Sequence, residues 1–157
     1  MGIMTVYHGG YMPVEHPQIR VGRYTKDFGA GFYCTNSLKQ AQQWAKRKST
    51  TTGTPVVSSF EFVQNPTLSV KIFSSMTEEW LDFVAACRTG KPHSYDIVEG
   101  PMADDQIWNF VEDFIAGEIS REAFWALACF KKPTHQIVFH TERSLLCLKS
   151  VPDGDSL

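Results

Sequence analysis

The sequence predicts a single α+β domain, because strand-like and helix-like segments are mixed along the chain rather than strictly alternating. The chain has 157 residues, which is the length of one ordinary domain with its own hydrophobic core. No internal repeat, low-complexity tract or interdomain linker interrupts this order. We therefore expect one domain over residues 1–151, followed by a flexible acidic tail over residues 152–157.

Glycines and a helix-capping pattern define the first elements. A short strand over residues 4–7 is followed by the glycine pair Gly9-Gly10, so His8 lies at the end of this strand. A glycine-framed segment then leads into a second strand, residues 32–35. Ser37, with Gln40 three residues later, is a capping-box signal that opens the first helix.

Periodicity predicts the remaining elements. Runs rich in β-branched and aromatic residues are typical of strands, and they cover residues 56–63, 95–98, 136–139 and 145–151. Apolar residues at helical spacing predict three further helices, over residues 75–90, 107–115 and 121–130. A Gly100-Pro101 pair is expected to break the chain after the strand at 95–98.

The composition is that of a soluble globular protein, with 43% hydrophobic residues, 20% charged residues and a formal net charge of -2. There is no apolar run of the roughly 20 residues needed to span a bilayer, and no secretory signal is visible, so we expect a cytoplasmic protein.

The near-neutral charge argues against a general binder of phosphate backbones. The short basic cluster Lys46, Arg47 and Lys48 is typical of a helix C-terminus, although a nucleic-acid target stays open.

Cysteines and histidines are scattered without the spacing of a metal site. We expect reduced thiols at the four cysteines, Cys34, Cys87, Cys129 and Cys147. We expect no metal site.

Six short motifs, ordered along almost the whole chain, carry the functional signal. They are Tyr7-His8-Gly9 and residues 26–35, 40–45, 79–83, 95–105 and 136–141. In this order they resemble the ADP-ribosyltransferase superfamily, specifically the His-Tyr-Glu branch that includes the poly(ADP-ribose) polymerases. The chain is most similar to a bacterial family of uncharacterised ADP-ribosyltransferase-like domains. The resemblance implies split antiparallel β-sheets with flanking helices, and NAD as the substrate.

His8 and Gly9 suit an NAD site at the end of the first strand. The His8 ring can hydrogen-bond a ribose hydroxyl of the adenosine half, and Gly9 lets the backbone approach the nicotinamide carboxamide because no Cβ intervenes. The resemblance implies that His8 is catalytic and that both residues bind the cofactor. The alternative for His8 is a structural histidine whose hydrogen bonds are satisfied at a strand end.

Tyr33 falls where the superfamily places the ring that stacks on nicotinamide, and the resemblance implies a catalytic role for it. Trp44, eleven positions later, occupies the place of the second stacking aromatic of the polymerase branch. Stacking adds about 0.5–1.5 kcal/mol per pair beyond area burial. The alternative for Tyr33 is a half-buried strand tyrosine, and the alternative for Trp44 is packing of its helix against the core. Thr35 is grouped with the cofactor-binding residues, and Arg23 is a candidate for the NAD pyrophosphate, with a surface arginine as the alternative.

Gln136 stands where the superfamily has its catalytic glutamate. An amide oxygen accepts the ribose hydroxyl hydrogen bond, but it supplies no full negative charge against the developing sugar cation. Asp104 and Asp105, expected in a loop, and Glu142 and Glu61 are the other carboxylates that we consider for this charge. The alternative for Asp104 and Asp105 is a helix N-cap pair.

The resemblance implies an NAD-dependent ADP-ribosyltransferase that cleaves the nicotinamide-ribose bond and transfers ADP-ribose to a protein or nucleic acid. In bacteria such compact transferases resemble toxins, with an antitoxin as the expected partner, and defence or counter-defence effectors. The alternatives are a non-catalytic NAD or nucleotide sensor and an NAD glycohydrolase, whose acceptor is water. A relative acting on RNA phosphates would need more Arg and Lys around the site.

Overall fold

The structure is a computed structural model that describes residues 3–19, 27–49, 53–103, 105–129 and 133–152. The strands found in these ranges are β1 (Ile3–Gly10), β2 (Phe32–Cys34), β3 (Val56–Val63), β4 (Val70–Ile72), β5 (Ile97–Met102), β6 (Thr134–Phe139) and β7 (Leu148–Ser150). The helices are α1 (Leu38–Lys48), α2 (Glu78–Arg88), α3 (Asp105–Ile115), α4 (Arg121–Ala128) and α5 (Glu142–Leu145). The protein therefore has the predicted α+β class.

The strands form two sheets. The first is antiparallel with the order β1-β3-β7, and the second has the order β2-β6-β5-β4. In the second sheet β2, β6 and β5 are antiparallel neighbours, whereas β4 is parallel to β5. The expected antiparallel pairing therefore holds for every described strand pair but one, and β4 departs from it. The reason is that α2 lies between β4 and β5 in the chain and provides the crossover that a parallel pair requires.

The two faces of the second sheet bury separate apolar clusters. Along β6, Ile137 and Phe139 belong to the cluster that also contains residues of the first sheet, such as Val6 and Phe60. Val138, one position out of phase, belongs to the cluster formed with α2, α3 and α4. This follows from the two-residue alternation of side chains along a strand. The second sheet is thus a central layer between the first sheet and the helices α2, α3 and α4.

Side-chain caps set the helix starts. The Ser37 hydroxyl accepts a hydrogen bond from the backbone N–H of Gln40, as the capping pattern predicts. The reciprocal half of the capping box is not formed, because the Gln40 amide binds the backbone of His135.

Thr77 lies in the segment of residues 75–78 that is predicted to open the second helix, and it caps α2, because its side chain accepts from the backbone N–H of Trp80. The helical residues themselves begin at Glu78.

The expected break at Gly100-Pro101 is wrong, because β5 continues through both residues to Met102. Gly100 fits there since a Cβ would lie only 2.9 Å from the Cβ of Phe73. The backbone N–H of Ile97 points to the β4 side, where it donates to Ser69 O. By alternation Pro101 faces the same side, beyond the end of β4, so its missing N–H leaves no ladder bond unmade.

Short elements account for the other differences. The three residues of β4 are too few for a periodic signal and were not predicted. Leu145 lies in α5, so the last strand begins at Leu148 rather than at residue 145. Of the expected tail, residues 153–157 lie outside the described residues. Within the described ranges, no helix has both the length and the apolar character needed to cross a membrane.

Candidate functional site

A backbone bridge joins the two sheets next to the predicted site. The N–H of Tyr7 on β1 donates to Thr35 O at 2.8 Å, and the N–H of Thr35 donates to Tyr7 O at 2.9 Å. β2 pairs with β6 in a register that sets Tyr33 opposite Val138 and, continued by two residues, sets Thr35 beside Gln136. Three strands that carry predicted site residues therefore meet here.

His8 is held from two directions. Its ring stacks on Phe32, with centroids 4.4 Å apart and planes 20° from parallel. Its Nδ1 lies 2.8 Å from the backbone carbonyl oxygen of Tyr33. Because a carbonyl only accepts, Nδ1 carries the hydrogen in this contact. The structure thus brings His8 and Tyr33 together through the Tyr33 backbone.

Gly9 is required by packing. A Cβ at this position would lie 2.2 Å from Ala41 O and 2.9 Å from Ala45 N, both in the backbone of α1. The Gly9 carbonyl also accepts a hydrogen bond from Lys48 Nζ at 2.9 Å. The close backbone approach that the sequence predicts at Gly9 is therefore made to α1.

Tyr33 is 8% exposed and lies in the helix-side cluster of the second sheet. Its hydroxyl donates to Gly29 O at 2.6 Å and accepts from the N–H of Phe28 at 3.1 Å. Burial raises the pKa of this phenol well above its ordinary value. Tyr33 therefore holds the turn that precedes β2.

Trp44 lies on α1 and is also 8% exposed. Its Cβ is 3.0 Å from the place that a Cβ on Gly9 would take, so Trp44 sits against the end of β1. Among the described residues, the rings of Tyr33 and Trp44 make no stacking contact with each other. The predicted sandwich places nicotinamide between the two rings and does not require them to touch, so both rings stay candidates for contact with a ligand.

Gln136 belongs to a buried polar network around Asp27. Its Nε2 donates to Asp27 Oδ2 and to the carbonyl oxygen of Pro101, each at 3.2 Å. Asp27 Oδ2 also accepts from the N–H of Ala103 at 2.7 Å. Asp27 Oδ1 accepts from Arg88 Nε at 3.1 Å and from Arg88 Nη2. Gln136, Asp27 and Arg88 are 1%, 3% and 5% exposed.

Arg88 neutralises this buried carboxylate. Its guanidinium lies 3.6 Å from the centroid of the Trp108 ring, and its Nη1 donates to Glu112 Oε2 at 2.9 Å. Burial raises the pKa of Asp27, and the charge and hydrogen bonds of Arg88 oppose that rise. The four groups that point at the Asp27 oxygens are all donors, so the arrangement fits the ionised carboxylate.

A second carboxylate lies on the other face of the same sheet. Glu99 Oε2 is 2.9 Å from His135 Nε2. Gln40 of α1 binds the backbone of His135 from both ends of its amide, with Nε2 donating to the carbonyl at 2.6 Å and Oε1 accepting from the N–H at 3.0 Å. The two Gln40 bonds attach α1 to the start of β6.

Glu99 also lines a largely apolar cavity of about 250 Å³ between the sheets.

The remaining predicted residues differ in position. Thr35 is fully buried at the bridge to Tyr7, and its Oγ1 accepts from the N–H of Ser37 at 3.2 Å and lies 3.4 Å from His135 Nδ1. Glu61 and Glu142 are exposed, on β3 and at the start of α5. Asp105 is the first residue of α3 and does not lie in a loop, so one member of the alternative N-cap pair is found at the helix start. Arg23 and Asp104 lie outside the described residues.

Sequence reasoning missed Asp27 and Arg88 as members of the network that holds Gln136. Asp27 lies inside the motif at residues 26–35, where a charged residue next to Phe28 was a usable signal. Arg88 ends α2, where a cation is expected for the helix dipole alone. Arg88 is 61 positions and Gln136 is 109 positions from Asp27 in the sequence. Only the fold shows that both side chains bind the Asp27 carboxylate.

The fold and this network define an α+β protein with a buried amide–carboxylate–guanidinium group beside the junction of two sheets. The chain belongs to the family described as "Protein of unknown function (DUF3990)", whose profile matches residues 4–150. Comparisons with curated proteins and with solved structures found no match. Within the described part of the chain, no three or more His, Cys, Asp or Glu side chains are grouped so as to hold a metal ion.

Proposed function

We propose that this protein is an NAD-dependent ADP-ribosyltransferase with an ADP-ribosyltransferase-like fold. The observation that carries the proposal is the meeting of β1, β2 and β6 at the Tyr7–Thr35 bridge. It sets the strands of His8, Tyr33 and Gln136 side by side, and these are the positions that resemble the His-Tyr-Glu pattern. The resemblance and the strand order therefore support the same site.

The proposed reaction breaks the bond between the ribose C1′ and the nicotinamide nitrogen, and the bonding electron pair leaves with nicotinamide. A nucleophile of the acceptor then bonds to C1′ and gives up its proton. His8 orients the adenosine ribose, and the amide oxygen of Gln136 accepts from a hydroxyl of the nicotinamide ribose. Catalysis rests on positioning and on electrostatic stabilisation of the sugar cation.

The proposed acceptor is a macromolecule, either protein or nucleic acid. The resemblance to compact bacterial transferases supports a role as a toxin with an antitoxin partner, or as a defence or counter-defence effector. A cytoplasmic location is part of this proposal.

A second candidate is a non-catalytic NAD or nucleotide sensor. The burial of Tyr33 and Gln136 favours it, because both side chains already have hydrogen-bond partners within the protein. An NAD glycohydrolase is distinguished from the transferase only by its acceptor, water.

The deciding experiment incubates the purified protein with NAD labelled in the adenosine half, with and without a cell lysate. The transferase should release nicotinamide and label the protein or the nucleic-acid fraction. Gln136→Ala should lower turnover more than NAD affinity, since its contact forms mainly in the transition state. NAD binding without nicotinamide release would establish the sensor, and neither binding nor release would overturn the proposal.

A further inference from the structure

The carboxamide of Gln136 can adopt only one orientation in its surroundings. Both hydrogens of an amide NH₂ are needed here, because Nε2 faces two acceptors, Asp27 Oδ2 and Pro101 O. A flipped amide would set its oxygen against both acceptors. The amide oxygen therefore lies away from Asp27.

Asp27 is itself fixed in place. One of its oxygens is bound by the Arg88 guanidinium, and the other receives the N–H of Ala103 at 2.7 Å. The guanidinium is in turn held between Asp27 and the ring of Trp108. A group this rigid and this buried imposes its geometry on Gln136.

A glutamate at position 136 does not suit this environment. It would place a carboxylate oxygen where Nε2 now lies, 3.2 Å from Asp27 Oδ2 and 3.2 Å from Pro101 O. Two like charges at that separation in a buried site cannot both remain ionised. The charge of Arg88 is already used by Asp27 and Glu112.

We propose that Asp27 is the positioning residue of Gln136: it requires an amide at this place and directs the amide oxygen towards the nicotinamide ribose. The part that concerns the ribose rests on the proposed function. The requirement for an amide does not, so the two parts fail separately. Gln136→Glu therefore does more than restore the charge of the superfamily glutamate, because it sets a second carboxylate against Asp27.

The first test is a stability cycle of the wild type, Gln136→Glu, Asp27→Asn and the double variant. Gln136→Glu should lower the melting temperature at pH 8 by about 6–20 °C, as expected for an uncompensated buried charge. The same change should cost clearly less when it is made in the Asp27→Asn variant, where Arg88 faces only one buried carboxylate. Equal costs in the wild type and in that variant would overturn the proposal.

The pH dependence gives a second readout. A glutamate at 136 next to Asp27 has its pKa raised, so it takes up a proton more readily in the folded than in the unfolded protein. The loss caused by Gln136→Glu should therefore shrink as the pH falls from 8 to 5. Gln106→Glu makes the same chemical change at an exposed position of α3 and should show no such loss. A pH-independent loss in Gln136→Glu would count against the proposal.

Gln136→Met separates charge from shape if Gln136→Glu does not fold. Methionine has a similar volume and no charge, so this variant should fold and melt above Gln136→Glu. A methionine variant that is destabilised as much as the glutamate variant would show that the lost hydrogen bonds to Asp27 and Pro101, and not repulsion between two carboxylates, cause the cost, and it would overturn the charge argument on which the proposal rests.

Activity tests the positioning role. In a wild type that releases nicotinamide, Asp27→Asn should lower kcat by about tenfold or more with a smaller change in KM. The double variant should turn over NAD faster than Gln136→Glu alone. An unchanged kcat in folded Asp27→Asn would remove the positioning role, whereas a wild type that does not cleave NAD would remove the proposed function and leave the stability cycle in force.

Discussion

Tyr33 closes the turn before its own strand through both functions of its hydroxyl. It donates to Gly29 O and accepts from the N–H of Phe28, so one atom satisfies two backbone groups of a largely buried turn. Gly29 has a φ of 87°, a left-handed conformation that glycine adopts without strain. The turn therefore depends on Gly29 and on the hydroxyl of Tyr33, in addition to any contact that the ring makes with a ligand.

Tyr33→Phe should lower the free energy of unfolding by about 1–3 kcal/mol, because two backbone groups lose their partner. Urea denaturation measures the change, and Tyr11→Phe, at a position that is 41% exposed, is the matched control. If the ring alone contacts nicotinamide, the affinity of the folded variant for NAD stays close to that of the wild type.

Tyr33→Ala should weaken NAD binding clearly, and Trp44→Ala should weaken it less. An unchanged NAD affinity in folded Tyr33→Ala would contradict the role of this ring.

At the scale of elements, α1 packs on β1 through a contact that admits no side chain. Gly9 faces the backbone of α1, whereas Gly10 is more open, because a Cβ added there would have its nearest neighbour at 3.6 Å. Two adjacent glycines thus have different structural roles. The pair offers a controlled comparison that the sequence alone did not suggest.

Gly9→Ala should be strongly destabilising, by about 2–3 kcal/mol or more, because α1 must move away from β1. Gly10→Ala should have a much smaller effect. Thermal unfolding of the two variants under identical conditions makes the comparison. Similar melting temperatures for both would show that α1 does not pack on β1 as described.

Asp96 links three elements near the opposite end of the second sheet. It precedes β5, and its oxygens accept from Arg143 and Thr141 at α5 and from the N–H of Ser69 before β4. These hydrogen bonds, above all those from Arg143, lower the pKa of Asp96 to about 2. The carboxylate therefore stabilises the fold above its unfolded pKa of about 3.9.

That contribution should disappear as the pH falls from about 5 towards 2, because the folded state then loses its preference for the ionised form. Asp96→Asn should accordingly lower the stability at neutral pH and flatten its dependence on pH over this interval. Asp113→Asn, at an exposed position of α3, is the control. If the stability of Asp96→Asn depended on pH as that of the wild type does, the stabilising role of the Asp96 carboxylate would be contradicted.

At the scale of the whole molecule, we expect the proposed substrate, NAD, to stabilise the protein, because it would bind the folded state and not the unfolded chain. NAD at 100 times its dissociation constant should add about 2.7 kcal/mol of stability. For a chain of 157 residues this corresponds to a rise of about 5–11 °C in the melting temperature. The rise should continue with concentration, as mass action requires.

His8→Ala should reduce this NAD-dependent rise. The substitution should also affect stability, because His8 stacks on Phe32 and hydrogen-bonds Tyr33 O. We expect a loss of about 1–2 kcal/mol without NAD. Phe32→Leu removes the stack and keeps His8, so it serves as the control. A full NAD-dependent rise in His8→Ala would assign His8 a purely structural role.

The sequence by itself determined the α+β class and most of the elements, because apolar periodicity, caps and turn glycines are local signals. The capping residue Ser37 and the strand over residues 56–63 are confirmed as predicted. The resemblance to the ADP-ribosyltransferase superfamily, and not periodicity, selected His8, Tyr33 and Gln136, and whether these residues bind NAD stays a prediction. Very short elements, such as β4, have too few residues to give a local signal.

Only the tertiary structure decided what surrounds each selected residue. Asp27, Arg88 and Gln136 come from a turn, a helix end and a strand, and neither spacing nor propensity relates them. The same holds for Gly9, whose need for a bare backbone arises from α1 packing across it. Burial and charge pairing depend on which segments meet in space, and that is settled by the packing of the two sheets and the helices together.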